Sequence, residues 1–115
     1  MVKKDREEDT GSNLFSEVEG CLDTLKRHIS VIKSLLMEQP KGIIKISQET
    51  SLPEHKIRYS LRMLEKQHII TPSKEGAILT PEFIASREEL VNLAKKFKEQ
   101  AQSIYDELNG LLISK

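Results

Sequence analysis

Apolar residues recur at steps of three and four from Leu14 to Leu36, through Val18, Cys21/Leu22, Leu25, Ile29 and Ile32. That spacing predicts an amphipathic helix over 13–38. Ser12 or Asn13 can cap its start, with acidic residues following. Pro40 disfavours helix at Gln39, and Gly42 follows, so the helix should stop near Glu38. The β-branched run Gly42-Ile43-Ile44-Lys45-Ile46 reads as a short strand leading into a helix at Ser47-Gln48-Glu49-Thr50. Leu52-Pro53 interrupts, and Pro53-Glu54 suits the first turn of a further helix. That helix runs over 54–67, with Ile57, Leu61 and Leu64 on one face.

Two short apolar runs follow, Ile69-Ile70-Thr71 and Ala77-Ile78-Leu79-Thr80, on either side of Pro72-Ser73-Lys74-Glu75-Gly76. This predicts a hairpin over 69–80. Thr80 and Pro81 then open a second long helix, as cap and first helical residue, running to about Leu112. The expected organisation is a disordered polar tail over 1–12, an N-terminal helix over 13–38, a compact helix-turn-helix with hairpin over 39–80, and a C-terminal helix over 81–115. The expected fold class is mainly α with a small β-hairpin.

Composition narrows the function classes. No apolar run approaches the roughly 20 residues of a membrane span. The first ten residues lack the apolar core of a secretory signal. Cys21 is the one cysteine, so neither an internal disulfide nor a cysteine metal motif is expected, and the expected location is cytoplasmic. Cys21 itself reads as a small packed hydrophobe beside the apolar stripe. His28, His55 and His68 are dispersed, with no partners at metal-ligand spacing. There is no Gly-rich phosphate loop and no nucleophile elbow, so neither enzyme activity nor a cofactor is expected. The formal net charge is zero, but the distribution is uneven: residues 41–80 carry seven Lys/Arg against four Asp/Glu. Lys41 and Lys45 occupy no special place in the pattern and read as solvated.

That basic segment is where a short helix, a tight turn, a second helix and a hairpin follow one another. It runs Ile44-Lys45-Ile46-Ser47-Gln48-Glu49-Thr50-Ser51-Leu52-Pro53, then Glu54 through Leu64-Glu65 to Ile69-Ile70. It resembles the winged helix-turn-helix transcription regulators, especially small archaeal ones of the MarR-like and ArsR-like kind. Those share a phrase similar to I-S-x-x-T-x-L-x-x-x-x-V-x-x-x-L-x-x-L-E-x-x-x-x-I. The resemblance covers about 40 of the 115 residues. It departs at His68, where the family often has Gly at the helix end. It implies a winged helix-turn-helix flanked by long terminal helices, with the 54–67 helix in the DNA major groove and the 69–80 hairpin on the backbone or minor groove.

A helical wheel supports this independently. At about 100° per residue, Ile57, Leu61 and Leu64 cluster on one side. His55, Tyr59, Arg62 and Lys66 lie opposite, with Arg58 and Lys56 on the flanks. Arg can address guanine bidentately, and Lys can neutralise phosphate. Ser51 and His55 are candidates for phosphate or base-edge contacts, and Lys74, at the hairpin tip, for a phosphate or minor-groove contact.

The C-terminal helix carries Phe83, Arg87, Leu90, Ala94, Phe97, Ala101, Ile104, Leu108 and Leu111 in alternating steps of three and four. That is a coiled-coil-like seam. Val18, Leu22, Leu25 and Ile29, with Ile32 and Leu36, repeat the spacing in the N-terminal helix. A domain of about 65 residues cannot cover both stripes, so a two-fold homodimer is expected. The alternative is that the two long helices pack on each other within one chain. In function, the leading expectation is a homodimeric, sequence-specific DNA-binding regulator of transcription. The alternative is a winged-helix protein-interaction module without DNA binding. A regulator with a small-molecule effector is a third reading, for which the sequence offers no pocket.

Overall fold

The computed structural model describes residues 13–113. The expected tail over 1–12, including Ser12 as a cap, lies outside the described residues. The described residues are mainly helical, with a two-stranded antiparallel hairpin. The elements are α1 (Ser16–Met37), α2 (Ile43–Thr50), α3 (Glu54–Lys66), β1 (Ile70–Ser73), β2 (Gly76–Leu79), α4 (Pro81–Ala85) and α5 (Arg87–Gly110). The chain divides after Thr80 into two compact units.

In the first unit, α1 starts later than the apolar pattern does. Asn13 caps a preliminary turn instead: its Oδ1 accepts from the Phe15 N–H at 2.7 Å, and its carbonyl accepts from the Ser16 N–H at 3.2 Å. The core lies where α1 packs on α2, α3 and β2. Val31 and Leu35 of α1, Ile46 of α2, Ile57 and Leu64 of α3, and Ile70, Ala77 and Leu79 of the hairpin are its buried apolar side chains. Each large one contributes about 1.5–3 kcal/mol. Leu61, expected in the core, is half-buried.

The expected strand over 42–46 is instead the first part of α2. A helix lets Ile46 reach the core at full burial, and Pro40 just before it has no N–H to give a strand ladder. One residue of extended pairing survives. The Lys41 N–H donates to the Ala77 carbonyl at 3.2 Å, and the Ala77 N–H returns to the Lys41 carbonyl at 2.8 Å. Gln39 Oε1 adds a bond from the Leu79 N–H at 2.7 Å. The α1–α2 connection therefore lies along β2 as a one-residue third strand.

Lys41 was expected in solvent, and here the structure corrects the sequence reading. It is 3% exposed, and its Nζ donates to the Ser34 carbonyl at 2.8 Å, to Ser34 Oγ at 3.0 Å and to Glu49 Oε1 at 2.6 Å. Burial of an ammonium demands such a full set of acceptors. Lys45 does stay in solvent, paired with Glu38 at 3.0 Å.

α3 ends in a left-handed cap. His68 has φ 61°, the Ile69 N–H reaches back to the Leu64 carbonyl at 2.9 Å, and the His68 N–H to the Glu65 carbonyl at 3.0 Å. Glycine adopts this conformation without steric cost, whereas a side chain is penalised. His68 is exposed. The variant His68→Gly is therefore expected to gain about 0.5–1 kcal/mol, after part of the relief is offset by the looser unfolded chain. Urea denaturation reads this directly, and a lower midpoint would show that the imidazole contributes more than the cap costs.

In the second unit the single helix expected from Pro81 is broken at Ser86. The Ser86 N–H is shared between the carbonyls of Glu82 and Phe83, both at 3.1 Å, and its hydroxyl also bonds the Phe83 carbonyl. A serine that competes for the backbone in this way interrupts a helix. No residue of α5 is buried.

Candidate nucleic-acid interface

The turn between α2 and α3 is locked by side chains of α2. Thr50 Oγ1 donates to the Ile46 carbonyl at 2.7 Å, Ser47 Oγ donates to the Leu52 carbonyl, and Ser51 takes the left-handed conformation at φ 62°. Pro53 then caps α3, its carbonyl accepting from the Ile57 N–H at 3.1 Å. These bonds set the angle at which α3 leaves the turn.

α3 buries Ile57, Ser60 and Leu64 and turns its other side outward. His55, Arg58, Arg62 and Lys66 are exposed, and Lys56 is half-buried at the edge. Arg58, Arg62 and Lys66 form an i, i+4, i+8 row. Among the described residues none of these three is in an ion pair, although Glu54 and Glu65 share the helix. Like charges at this spacing destabilise a helix by a few tenths of a kcal/mol each. The row is thus a surface whose repulsion an external anion would relieve.

Tyr59 departs from the pure outward face expected of it. It is 43% exposed, and its ring stacks on His28 of α1 with centroids 6.0 Å apart and planes 30° apart. His28 Nδ1 lies 2.8 Å from Ser60 Oγ, and Ser60 is fully buried. Burial, then the Arg27 charge beside it, hold the His28 imidazole below its ordinary pKa, which favours the neutral ring at this contact with α3. Sequence reasoning missed this bracket. A signal existed: Ser60 falls between Ile57 and Leu64 on the buried side of the wheel, where a hydroxyl needs a partner.

The hairpin pairs Ile70 with Leu79, Thr71 with Ile78, Pro72 with Ala77 and Ser73 with Gly76. Its tip is closed by Ser73 Oγ, which donates to the Gly76 carbonyl at 2.6 Å and accepts from the Glu75 N–H at 3.3 Å. Lys74 stands exposed at that tip beside Glu75, and Ser51 is exposed at the turn before α3. The structure thus gathers His55, Arg58, Arg62 and Lys66 on one face, and leaves Ser51 and Lys74 on separate elements.

Of the expected seam residues, Phe83 is buried in α4, whereas the others on α1 and α5 are mostly exposed. Val18, Leu22, Leu25 and Ile29 are 46–51% exposed on α1, as are Leu90, Phe97, Ile104, Leu108 and Leu111 on and after α5, at 37–64%. Cys21, expected to be packed, is exposed with them. No group of three His, Cys, Asp or Glu among the described residues could hold a metal, and no helix among them is long and apolar enough to cross a membrane. Compared with protein-family models, curated proteins and solved structures, the chain gives no match.

Proposed function

We propose that this chain is a DNA-binding transcriptional regulator of the winged helix-turn-helix kind, acting as a homodimer. In this reading α3 enters the major groove, and the hairpin of β1 and β2 rests on the backbone as the wing. The observation that carries it is the exposed row Arg58, Arg62 and Lys66, without an anionic partner among the described residues, on a helix whose opposite side is anchored in the core. Arg58 and Arg62 supply the forks that read guanine, Lys66 and Lys74 neutralise phosphate, and His55, Lys56 and Ser51 contribute at the N-terminal end of α3. Tyr59, held by His28, contributes its free edge. The exposed apolar stripes supply the contact between subunits, and two half-sites read together raise affinity by effective concentration.

The test is fluorescence anisotropy of a labelled random duplex at several salt concentrations. Affinity should fall with salt at a slope of several released counterions. The double variant Arg62→Ala/Lys66→Ala should bind at least tenfold more weakly and lower the slope by about one per lost phosphate contact. Both side chains are exposed, so circular dichroism should stay unchanged. Absence of binding even at low salt would overturn the proposal and favour a protein-interaction module.

A further inference from the structure

α5 is 24 residues long, roughly 36 Å, and buries none of its own residues. Helices in water draw most of their stability from an apolar face packed on something else. From Leu90 to Ile104 its seam residues alternate in size. Leu90, Phe97 and Ile104 are large, and Ala94 and Ala101, between them, are small. This alternation distinguishes the two ways in which two such helices can pair. Side by side in parallel, Phe97 would meet the partner's Phe97 and Ala94 the partner's Ala94, so layers would be overfilled and empty in turn. Both faults destabilise. Head to tail, each large residue can lie over a small one.

The pattern is complementary to its own reversal about the point between Lys95 and Lys96. Reversed there, Leu90 meets the partner's Ala101 and Phe97 meets the partner's Ala94, and the reciprocal contacts repeat both pairs. A contact in which residue i meets j and j meets i is what a two-fold dimer requires. An unrelated partner would place no such demand on the sequence. Toward the end of the seam Arg87 would overlie the partner's Ile104 and extend its guanidinium to water. The next register, one heptad along, would set Lys98 beside the partner's Lys98, and like charges there repel. The large apolar seam residues of α5 and their flanking Val91, Leu93 and Tyr105 are 37–68% exposed, so pairing would take from water an apolar face that runs the length of the helix. α1 offers no equivalent, because Val18, Leu22, Leu25 and Ile29 are all large.

We propose that α5 pairs antiparallel with α5 of a second copy of this chain, Leu90 seated over the partner's Ala101 and Phe97 over the partner's Ala94. This rests on the homodimer reading above and specifies its contact. The test uses the full chain with Cys21→Ser and single spin labels at Asn92 or Asp106. In the antiparallel register the label positions lie about 10 Å apart along the helix axis at Asn92 and about 32 Å apart at Asp106. A parallel pair gives equal, short distances at both. Sedimentation of Ala94→Leu should show self-association at least tenfold weaker, and adding Phe97→Ala should restore it by returning one large and one small residue to each layer. Leucine favours helix, so the variant keeps its fold. Equal distances at both sites, a dimer strengthened by Ala94→Leu, a dimer with no short Asn92 distance, or a monomer would each overturn the pairing. DNA binding is measured separately, so loss of either result leaves the other interpretable.

Discussion

Replacing Gly76 by alanine is expected to cost the fold about 3 kcal/mol or more. Gly76 has φ +131°, a conformation that side chains rarely adopt, and a Cβ there would lie 2.4 Å from the Lys41 carbonyl carbon and 2.5 Å from its oxygen. The obstacle is backbone on both sides, so it cannot be relieved by a rotamer change. Relief requires the Lys41–Ala77 pairing to open, which would detach the hairpin from the α1–α2 connection. Equilibrium urea denaturation checks the magnitude, and faster hydrogen exchange at the Lys41 and Ala77 amides checks the place. Gly42→Ala is the control: nothing lies within 4 Å of its Cβ, so only the poorer N-cap preference of alanine acts there, a loss of about 1 kcal/mol or less. Equal effects at the two glycines would show that the close approach of Lys41 is not what constrains Gly76.

Lys41→Ala is expected to have the next largest effect, a loss of about 2–3 kcal/mol. The buried aliphatic stem leaves a void, and the inward Ser34 hydroxyl and carbonyl lose a donor. Lys41→Met keeps the stem and should cost about 1 kcal/mol. The pair differs further in acid. The Glu49 carboxyl is held below its ordinary value of 4.5, first by the hydrogen bond from Lys41 and then by the one from the Ser34 hydroxyl. The unfolded chain therefore binds the proton more readily. The contribution of Glu49 is complete above pH 4.5 and drains as the pH falls through its lower folded value. Denaturation midpoints followed from pH 6 downward should show this acid limb in the parent and a flatter one in Lys41→Met. An unchanged limb would mean that Lys41 is not what holds Glu49 ionised.

The periodic stretches were readable because a helix face is written in the order of its residues. The exposed row of α3 follows from the 3.6-residue repeat once Ile57 and Leu64 are known to face inward. The hairpin follows from two short apolar runs around a Gly-terminated turn. What the pattern misjudged lies where one segment meets another. Ile43, Ile44 and Ile46 read as a strand because β-branched residues favour one. The helix prevailed because it delivers Ile46 to the core that α1 and α3 share with it. Ser86 looked like any polar helix residue until the carbonyls of Glu82 and Phe83 became competing acceptors.

Lys41 is the sharpest contrast. Nothing near it in the chain distinguishes it from Lys45, yet one is sealed beneath Ser34 and Glu49 and the other stands in water. Likewise, His28 and Ser60 lie 32 positions apart, and their bond exists only because α1 crosses α3. Periodicity and turn chemistry are local, so the order of residues settles which elements form and which face of each is apolar. Burial, ion pairing and close backbone approach depend on residues brought together from distant positions. Those contacts, and with them the environment of Lys41, Tyr59 and Gly76, were decided by the packing of the chain in three dimensions.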